Sequence, residues 1–598
     1  MSKKFLAVLI AAILALSVLA GCGKDTGKES DKTTDTTETT DQTDKTDDQK
    51  DTTDDQKDTT DDKTDAKTTD TAEGEADEDQ FINTFIGSWP NTFDPATGDD
   101  MYGNGVLINT LEPLIRVDED ENGGSIYVPA GAESWEVSDD GLEYTFHIRQ
   151  GMKWTDGEEL NAQDYAYAIR RSATPETACP FANLVYLVKN GEAVNKGEKP
   201  VEELGVETPD DYTLKVTLEN ECPYYLDTVT QRVYFPQRKD MVEALGDQYG
   251  SSEVENIPVC GPFKIADMTI NNEIVYEKNE DFWNAANVKL QRVNAQILND
   301  PNTINNALLT GELDYAGVGD PKWQAQLAET GEYTRVTNLN PWTAYWLMNF
   351  NEGSNVANTK ITRAIAAVID REQIIETAWN GNPVAAYAFV PPTVRVQGEE
   401  FNKEGEGPAL DLKNEVTDPK ALFEEGCKEM GKDPATVTIK LMGSDTSNEG
   451  RIAIEGFQQQ IENALGCKVE ASNHEWNDFT NRIKANDYDI AWLAWGADFN
   501  DPSNFLETNY SKTRAYPTAW TNEKFDKLIE EARVTLDAKK RGELLHEAER
   551  ILIEEDAALV PIIHAVSNVF RRNYVKGARN NYFQSMGFQV LYTAGRDN

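Results

Sequence analysis

Apolar and polar residues alternate with a period of two along residues 134–149, on both sides of an Asp140-Gly141 pair. An alternating run interrupted by an Asp-Gly turn predicts a β-hairpin. Residues 81–86 and 210–218 show the same alternation and predict two further strands. These segments place half-buried strands in the first third of the globular chain.

Other segments have apolar residues at helical spacing. It predicts a helix over 106–115, after a glycine-rich loop at 98–105, and a helix to Arg171 that is capped by Asn161. Ile361, Ile365 and Ile369 are spaced to face a core, and a helical pair is predicted over 522–555. The chain therefore mixes strands and helices, which indicates an α/β fold.

Residues 488–495 form an apolar and aromatic run that leads into Gly496, Ala497 and Asp498, and this pattern predicts a buried strand entering a loop. In open α/β sheets such loops face the ligand crevice. Asp498 would then be a fixed negative charge at the mouth of a cleft beside Trp492 and Trp495. The alternative is that Asp498 only forms a turn before residues 500–502.

The first 21 residues predict a signal peptide: two lysines, an apolar run over 5–20 that is short for a permanent membrane helix, and then Leu19-Ala20-Gly21-Cys22. That tetrad resembles a bacterial lipobox, which implies cleavage before Cys22 and lipidation of its thiol. Two or more acyl chains would anchor the protein stably. An ordinary secretory signal with an incidental cysteine is the alternative.

Residues 23–79 contain 22 acidic and 8 basic residues and almost no apolar side chains. Such a segment cannot bury enough surface to offset its chain entropy, so we expect a disordered linker over 22–79 that lifts a globular head from the membrane. A calcium-binding tract is a second interpretation, but the segment lacks a fixed loop with a glycine turn.

The length of 598 residues predicts two or three domains, and the formal net charge of −49 argues against nucleic acid and anionic lipid surfaces as partners. After Cys22, five cysteines remain at wide spacings without a C-x-x-C pair. The spacing indicates neither a zinc site nor a dense disulfide framework, and it allows at most two bridges of unassigned pairing.

The run SWEVSDDGLEYTFHIRQGMKWTDGEELNAQDYAYAIRR closely resembles a signature of the oligopeptide and dipeptide family of extracellular solute-binding proteins. Further landmarks follow in the order of that family, and together they cover essentially all of residues 81–598: IPVCGPF at 257–263, NEDFWN at 279–284, WLMN at 346–349 with RAI at 363–365 and IDR at 369–371, and NEKFD at 522–526.

The resemblance implies a two-lobed, type II periplasmic-binding-protein fold of the α/β class with an inserted extra domain. Lobe I would comprise 80–124, 206–340 and 571–598, the insert 125–205, and lobe II 341–570. The lobes would close on the ligand by a hinge motion.

The family's Trp-x-x-Asp motif falls on Trp495, Gly496, Ala497 and Asp498, which implies that Asp498 pairs with the α-ammonium group of a peptide. By the same resemblance the peptide backbone would add as a strand to the main chain near Gly496 and near residues 101–104, which include Met101, Tyr102 and Gly103. Trp476 matches an aromatic residue of the family's binding pocket.

The sequence departs from the best-known members in two ways. Their disulfide beside the pocket would join the positions of Trp342 and Gly496, so that bridge is absent here. Their basic side chains for the peptide carboxylate fall on Trp379 and Trp492. We therefore expect an aromatic cleft, with Tyr345 as a further candidate, that favours longer or apolar peptides. Core packing is the alternative for each of these tryptophans.

The resulting hypothesis is a lipid-anchored receptor on the outer face of a bacterial, Gram-positive, cell membrane. It would bind oligopeptides as a monomer, without cofactor or metal, and deliver them to the permease subunits of an ABC importer. Dipeptides, signalling peptides, oligosaccharides and nickel complexes remain alternative ligands. A surface adhesin or a pheromone receptor remains an alternative role. An enzyme is disfavoured by the absence of G-x-S-x-G, H-E-x-x-H and P-loop motifs, although a carboxylate pair acting on sugar stays open.

Overall fold

The computed structural model describes residues 75–121, 123–252, 257–402 and 412–596. These residues lie in one compact unit, Asp70–Asn598. The predicted signal peptide, Cys22 and nearly all of the acidic linker fall outside the described residues. Within the described part, every helix is too short or too polar to cross a bilayer.

Strands and helices alternate irregularly along the described chain. The strands are β1 (Phe81–Ile86), β2 (Ile115–Glu119), β3 (Ser125–Pro129), β4 (Ala132–Val137), β5 (Glu143–Ile148), β6 (Val206–Asp210), β7 (Thr213–Thr217), β8 (Phe263–Thr269), β9 (Glu273–Lys278), β10 (Arg292–Ile297), β11 (Tyr315–Gly317), β12 (Tyr333–Met348), β13 (Val384–Ala385), β14 (Arg395–Val396), β15 (Glu399–Glu400), β16 (Thr438–Gly443), β17 (Lys468–Asn473), β18 (Ile490–Gly496), β19 (Leu559–Arg572), β20 (Val575–Lys576) and β21 (Tyr592–Thr593).

The α-helices are α1 (Met101–Thr110), α2 (Ala162–Ala173), α3 (Gly191–Asn195), α4 (Tyr225–Val229), α5 (Lys239–Leu245), α6 (Pro301–Thr310), α7 (Pro321–Thr330), α8 (Thr359–Ala367), α9 (Arg371–Trp379), α10 (Leu412–Glu415), α11 (Pro419–Glu429), α12 (Asn448–Leu465), α13 (Trp476–Lys484), α14 (Ser503–Leu506), α15 (Glu523–Arg533) and α16 (Ala538–Arg550).

Several local predictions are confirmed. The predicted hairpin is β4 and β5, paired antiparallel with Gly141 at φ +68° in the turn. Asn161 caps α2 through a reciprocal pair of hydrogen bonds with Asp164. Ile361, Ile365 and Ile369 are buried. The helix expected over 106–115 instead begins at Met101, because the Asp100 carboxylate accepts the Gly103 N–H at 2.7 Å and caps the helix there.

A four-stranded antiparallel sheet, in the order β4-β5-β7-β6, forms the framework of the region predicted as the insert. Strands β6 and β7 lie beyond residue 205, where the sequence prediction ended the insert. That boundary is wrong, because β5 pairs with β7 from Glu143↔Thr217 to His147↔Thr213 and would otherwise be an open edge. A second four-stranded sheet, β1-β10-β9-β8, belongs to the part predicted as lobe I.

The largest sheet has the order β11-β19-β12-β18-β16-β17, and β13 also pairs with β19. Strands β16, β17 and β18 are parallel, so their carboxyl ends meet at one edge. The long strands β12 and β19 pair antiparallel across the predicted boundaries at 340 and 570. Their register shifts between Leu339 and Thr343, so the ladder is interrupted where the two predicted lobes meet.

The five described cysteines are all free and buried. Cys179, Cys222 and Cys260 pack in the core beneath the β4-β5-β7-β6 sheet, whereas Cys427 and Cys467 pack in the core of the largest sheet. Burial raises the pKa of the Cys222 thiol to about 12 and that of Cys467 to about 11, so few thiolates form at neutral pH.

Glu549 on α16 is fully buried. One carboxyl oxygen accepts the backbone N–H groups of Phe389 and Val390, both at 2.7 Å. Its other oxygen and Oδ1 of the neighbouring Asn402 are both buried acceptors without a hydrogen bond. Desolvation raises the pKa of Glu549 to about 8, although the two backbone donors oppose the shift. A proton on this carboxyl group would give its free oxygen a donor to offer to Asn402.

We predict that Glu549→Gln stabilises the fold above neutral pH. The folded-state pKa exceeds the unfolded one, so ionisation of Glu549 destabilises the native protein as pH rises from about 4.5 to about 8. Glutamine keeps the acceptor oxygen and adds a permanent donor. Thermal unfolding from pH 5 to pH 8 should show a melting temperature a few degrees above wild type at pH 8 and little difference at pH 5.

Glu543→Gln provides the control, because Glu543 lies on the same helix with an exposed side chain. It should leave the pH profile of unfolding unchanged. A Glu549→Gln variant that is less stable than wild type at pH 8 would show that the carboxylate is ionised in the fold.

Candidate functional site

The free edge of β18 is the first element of the site. On one side, β18 pairs with β12 along its whole length, from Ile490 to Gly496. On the other side, its pairing with β16 ends at Gly443↔Trp492. Residues 493–496 therefore pair with one neighbour only within the described sheet, and their outer backbone edge is open to an added strand.

Asp498 follows this edge by two residues. Its side chain is exposed, as the prediction of a residue at the cleft mouth requires. Its backbone N–H donates to Oδ1 of Asn504 at 3.3 Å, and the Trp495 indole N–H donates to the same oxygen at 2.9 Å. Asn504 therefore fixes both the strand end and the start of the loop.

Two residues from the part of the chain predicted as lobe I, Gln231 and Tyr582, lie close to Asp498. Gln231 donates its amide N–H to the Asp498 carbonyl oxygen at 3.1 Å. Burial raises the pKa of Tyr582, and the nearby charge of Asp498 raises it further. Asp498 thus lies between surfaces contributed by both halves of the molecule.

The Asp498 carboxylate lacks a cationic partner among the described residues: every described ion pair is made by other side chains. Although water reaches the side chain, the surrounding protein desolvates it and raises its pKa, while a hydrogen bond with Asn504 opposes the shift. A carboxylate in this position gains free energy when a ligand brings a positive charge to it.

The loop after Asp498 is held by a buried ion pair. Arg541 on α16 donates from Nη1 and Nη2 to the two carboxyl oxygens of Asp501 at 2.6 and 2.7 Å, and both side chains are almost completely buried. Asn500 donates to Oγ of Ser125 at 3.1 Å and accepts the Arg395 N–H at 2.9 Å. These contacts fix the position from which Asp498 projects.

A cavity of about 360 Å³ lies beside the open edge of β18. Three indoles line it, those of Trp342, Trp379 and Trp492, and the Trp379 and Trp492 rings meet edge to face at 5.9 Å. Asn382, together with Ser444 and Asp445 after β16, forms the polar part of its wall. The prediction of an aromatic cleft at these tryptophans is consistent with this cavity.

Trp342 and Gly496 are directly opposite each other in the β12–β18 pairing. A Cβ placed on Gly496 would lie 3.0 Å from Cδ1 of Trp342, so the indole covers the glycine closely. Next to this pair, the Ala497 N–H donates to the Pro341 carbonyl at 2.9 Å. A tryptophan packed on a glycine therefore occupies the positions where the resemblance implied that a disulfide is missing.

The structure contradicts the predicted contact of Tyr345 and the predicted strand addition near residues 101–104. Tyr345 is 1% exposed and packs edge to face on Phe389 in the core, so it cannot reach a ligand. Met101, Tyr102 and Gly103 form the first turn of α1, whose Gly103 N–H is satisfied by Asp100, so this segment offers no strand edge. The glycines around it favoured a loop in the sequence and hid the helix.

Trp476 lies at the start of α13, at the same edge of the sheet as the carboxyl ends of the parallel strands. Its ring is 56% exposed and stacks on Phe479 at 5.8 Å. It does not line the described cavity. Ligand contact by Trp476 stays a prediction.

Sequence reasoning missed Asn504, Gln231, Tyr582, Ser444 and Asp445. Ser444 and Asp445 could have been found, because they directly follow β16 at its carboxyl end. Loops that bind ligands are expected at that end of parallel strands. Gln231 and Tyr582 are more than 80 residues from Asp498 in the sequence, and no local pattern marks them. No cluster of three or more His, Cys, Asp or Glu side chains among the described residues is arranged for a metal ion.

Comparison with known proteins places this geometry in context. Residues 127–517 match the family model of bacterial extracellular solute-binding proteins, family 5. The oligopeptide-binding protein OppA of Bacillus subtilis is 31% identical, over 84% of this chain and 92% of that protein. The dipeptide-binding protein DppE of the same organism is 32% identical, over 82% of this chain and 87% of that protein.

Solved structures give the same result. The Haemophilus influenzae OppA complex with the peptide RPPGFSPFR superposes with a TM-score of 0.68 at 26% identity, covering 87% of this chain and all of that one. The unliganded open form of the periplasmic murein tripeptide binding protein MppA has a TM-score of 0.72 at 24% identity, covering 87% and 99%. The two-lobed α/β fold expected from the sequence is thereby confirmed.

We predict that cysteines introduced together at Trp342 and Gly496 form a disulfide. Directly paired residues of antiparallel strands have Cα atoms about 4.5–5.5 Å apart, which is within the range of a disulfide. Mass spectrometry of the Trp342→Cys/Gly496→Cys variant should show the loss of two hydrogens. Trp342→Cys/Trp495→Cys is the control, because residues 342 and 495 are out of register and should stay reduced.

Proposed function

Since the chain belongs to family 5 of the bacterial extracellular solute-binding proteins, we propose that it binds oligopeptides between two lobes and delivers them to the membrane permease of an ABC importer. The observation that carries this proposal is Asp498, an exposed carboxylate without a cationic partner among the described residues, at the end of an open strand edge. The α-ammonium group of a peptide supplies the missing charge.

The strand edge supports recognition of the peptide backbone. An extended peptide that begins at Asp498 can continue along residues 493–496 and form main-chain hydrogen bonds with them. Such bonds contribute affinity without reading side chains, so many sequences are accepted. A sugar has neither an ammonium group for Asp498 nor a backbone that could extend the sheet.

Closure of the lobes would complete the site. We assign Gln231 and Tyr582, which approach Asp498, to lobe I, and Asp498 with the cavity to lobe II. The register shifts in the β12–β19 ladder lie where these lobes meet and provide the positions at which the strands can bend. Contacts such as Gln231 to Asp498 would then form in the closed state.

The N-terminal segment would tether the receptor. Lipidation of Cys22 after removal of residues 1–21 would hold the chain at the outer membrane face, and the acidic segment over 22–79 would let the peptide-binding part reach its ligand and the permease. The cargo receptor would work as a monomer, without a cofactor.

We predict that acetylation of the peptide amino group and the Asp498→Asn substitution remove the same interaction. A charge-assisted hydrogen bond contributes about 1.5–3 kcal/mol, so each change alone should weaken binding about 10- to 150-fold. Applied together, they should weaken it no more than either alone. Isothermal titration calorimetry with a free and an N-acetylated heptapeptide measures this double-mutant cycle.

Asp433→Asn is the matched control, because Asp433 is an exposed aspartate of a turn elsewhere in the same lobe. It should leave both affinities unchanged. Equal binding of free and acetylated peptides by the wild-type protein would disprove the role of Asp498.

Peptide affinity should also depend on pH through Asp498. Its raised pKa means that the carboxylate takes up a proton at a higher pH than an ordinary aspartate, and only the ionised form attracts the ammonium group. Affinity should be full above that pKa and fall as pH drops through it. Calorimetry between pH 7 and pH 4 should show this decline for the wild type and a flat profile for Asp498→Asn.

A further inference from the structure

The cavity beside β18 has an unusual wall for a site that receives peptides. Asp445 is the ionisable residue that lines the cavity, and its lining includes no lysine, arginine or histidine. Three tryptophans, Trp342, Trp379 and Trp492, are among its lining residues. Aromatic faces carry negative potential, so the indoles and the carboxylate both favour a positive charge.

Asp445 has one carboxyl oxygen available to a ligand. Its side chain is exposed, and Oδ1 accepts the Ser447 N–H at 2.9 Å in the turn before α12. Its second oxygen has no hydrogen bond to the described residues. The backbone after β16 therefore holds the carboxylate in place and leaves an acceptor free at the cavity wall.

The cavity also lies at a defined distance from Asp498 along the edge of β18. Side chains alternate along β18, so Trp492, Ala494 and Gly496 share the face that Trp342 covers. A strand advances about 3.3 Å per residue, so a peptide that begins at Asp498 passes Gly496 with its third residue and Ala494 with its fifth. Side chains three and five of the peptide therefore share the face of the cavity, whereas side chain four points to the opposite face.

We propose that this cavity selects an arginine or lysine side chain at the third or the fifth position of the bound peptide. The apolar stem would pack on the indoles, and the cationic head would lie against an aromatic face and bond the free oxygen of Asp445. This inference rests on the proposed function, since it takes the peptide's amino end to be at Asp498.

The same wall disfavours negative charge. The terminal carboxylate of a tripeptide, a tetrapeptide or a pentapeptide would stand near Asp445 and the indole faces, with no cation of the cavity wall to balance it. The site therefore selects peptides that continue past the cavity, and it selects against acidic residues at these positions.

The test uses heptapeptides with a free amino end, all alanine except for a single arginine, methionine or glutamate at position three or five. Calorimetry with the full folded protein should show, at one position at least, arginine binding about tenfold more tightly than glutamate, with methionine between them. Methionine has a comparable apolar stem without charge, so it separates packing from electrostatics.

Asp445→Asn should remove most of the preference of arginine over methionine, and Asp433→Asn should preserve it. Both aspartates are exposed and accept a backbone N–H two residues later, so the substitutions are matched. Equal affinity for arginine and glutamate peptides at both positions, or an unchanged preference in Asp445→Asn, would overturn this inference while peptide binding remains. Failure of every peptide to bind would overturn the proposed function itself.

Discussion

The buried ion pair between Asp501 and Arg541 is the constraint on which the site depends. Arg541 comes from helix α16 and Asp501 from the loop after β18, and the two parallel hydrogen bonds between them fix both distance and orientation. Removing one partner of such a pair leaves an uncompensated buried charge, which typically costs about 3–5 kcal/mol. The ion pair consequently fixes the loop relative to the sheet, and with it the position of Asp498.

Two aspartates three residues apart thus have opposite roles. Asp501 is shielded from water and neutralised by Arg541, whereas Asp498 is exposed and has no cation beside it among the described residues. An unpaired carboxylate is tolerated at the surface because water solvates it, but desolvation by nearby protein keeps it poised for a cation. One charge thus stabilises the fold, and the other is available to the ammonium group that we propose as its partner.

Much of the fold could be predicted from local patterns. The β4–β5 hairpin, the Asn161 cap and the strand before Asp498 each depend on neighbouring residues, and the family resemblance added the two-lobed arrangement. The boundary at 205 failed because strand pairing between β5 and β7 joins residues about 70 positions apart. Sequence alone does not show which distant strand completes an edge.

The site was predictable where its chemistry lies in one segment, as it does from Trp492 to Asp498. The predicted ligand contact of Tyr345 failed because alternation along a strand does not reveal which face other elements cover. Here Phe389 covers the face that carries Tyr345. The strand addition predicted near Met101 failed because a single capping residue, Asp100, starts a helix there despite the glycines around it. Asp445 was missed because its importance comes from the tryptophans across the cavity and not from its own surroundings in the sequence.

The five unbonded thiols bear on how this molecule is made. Each is enclosed in a packed core and has no covalent partner, so the native state can be reached by chain collapse and strand pairing alone. Maturation of the described region therefore requires neither an oxidant nor a disulfide isomerase. The same architecture can therefore form in a reducing compartment.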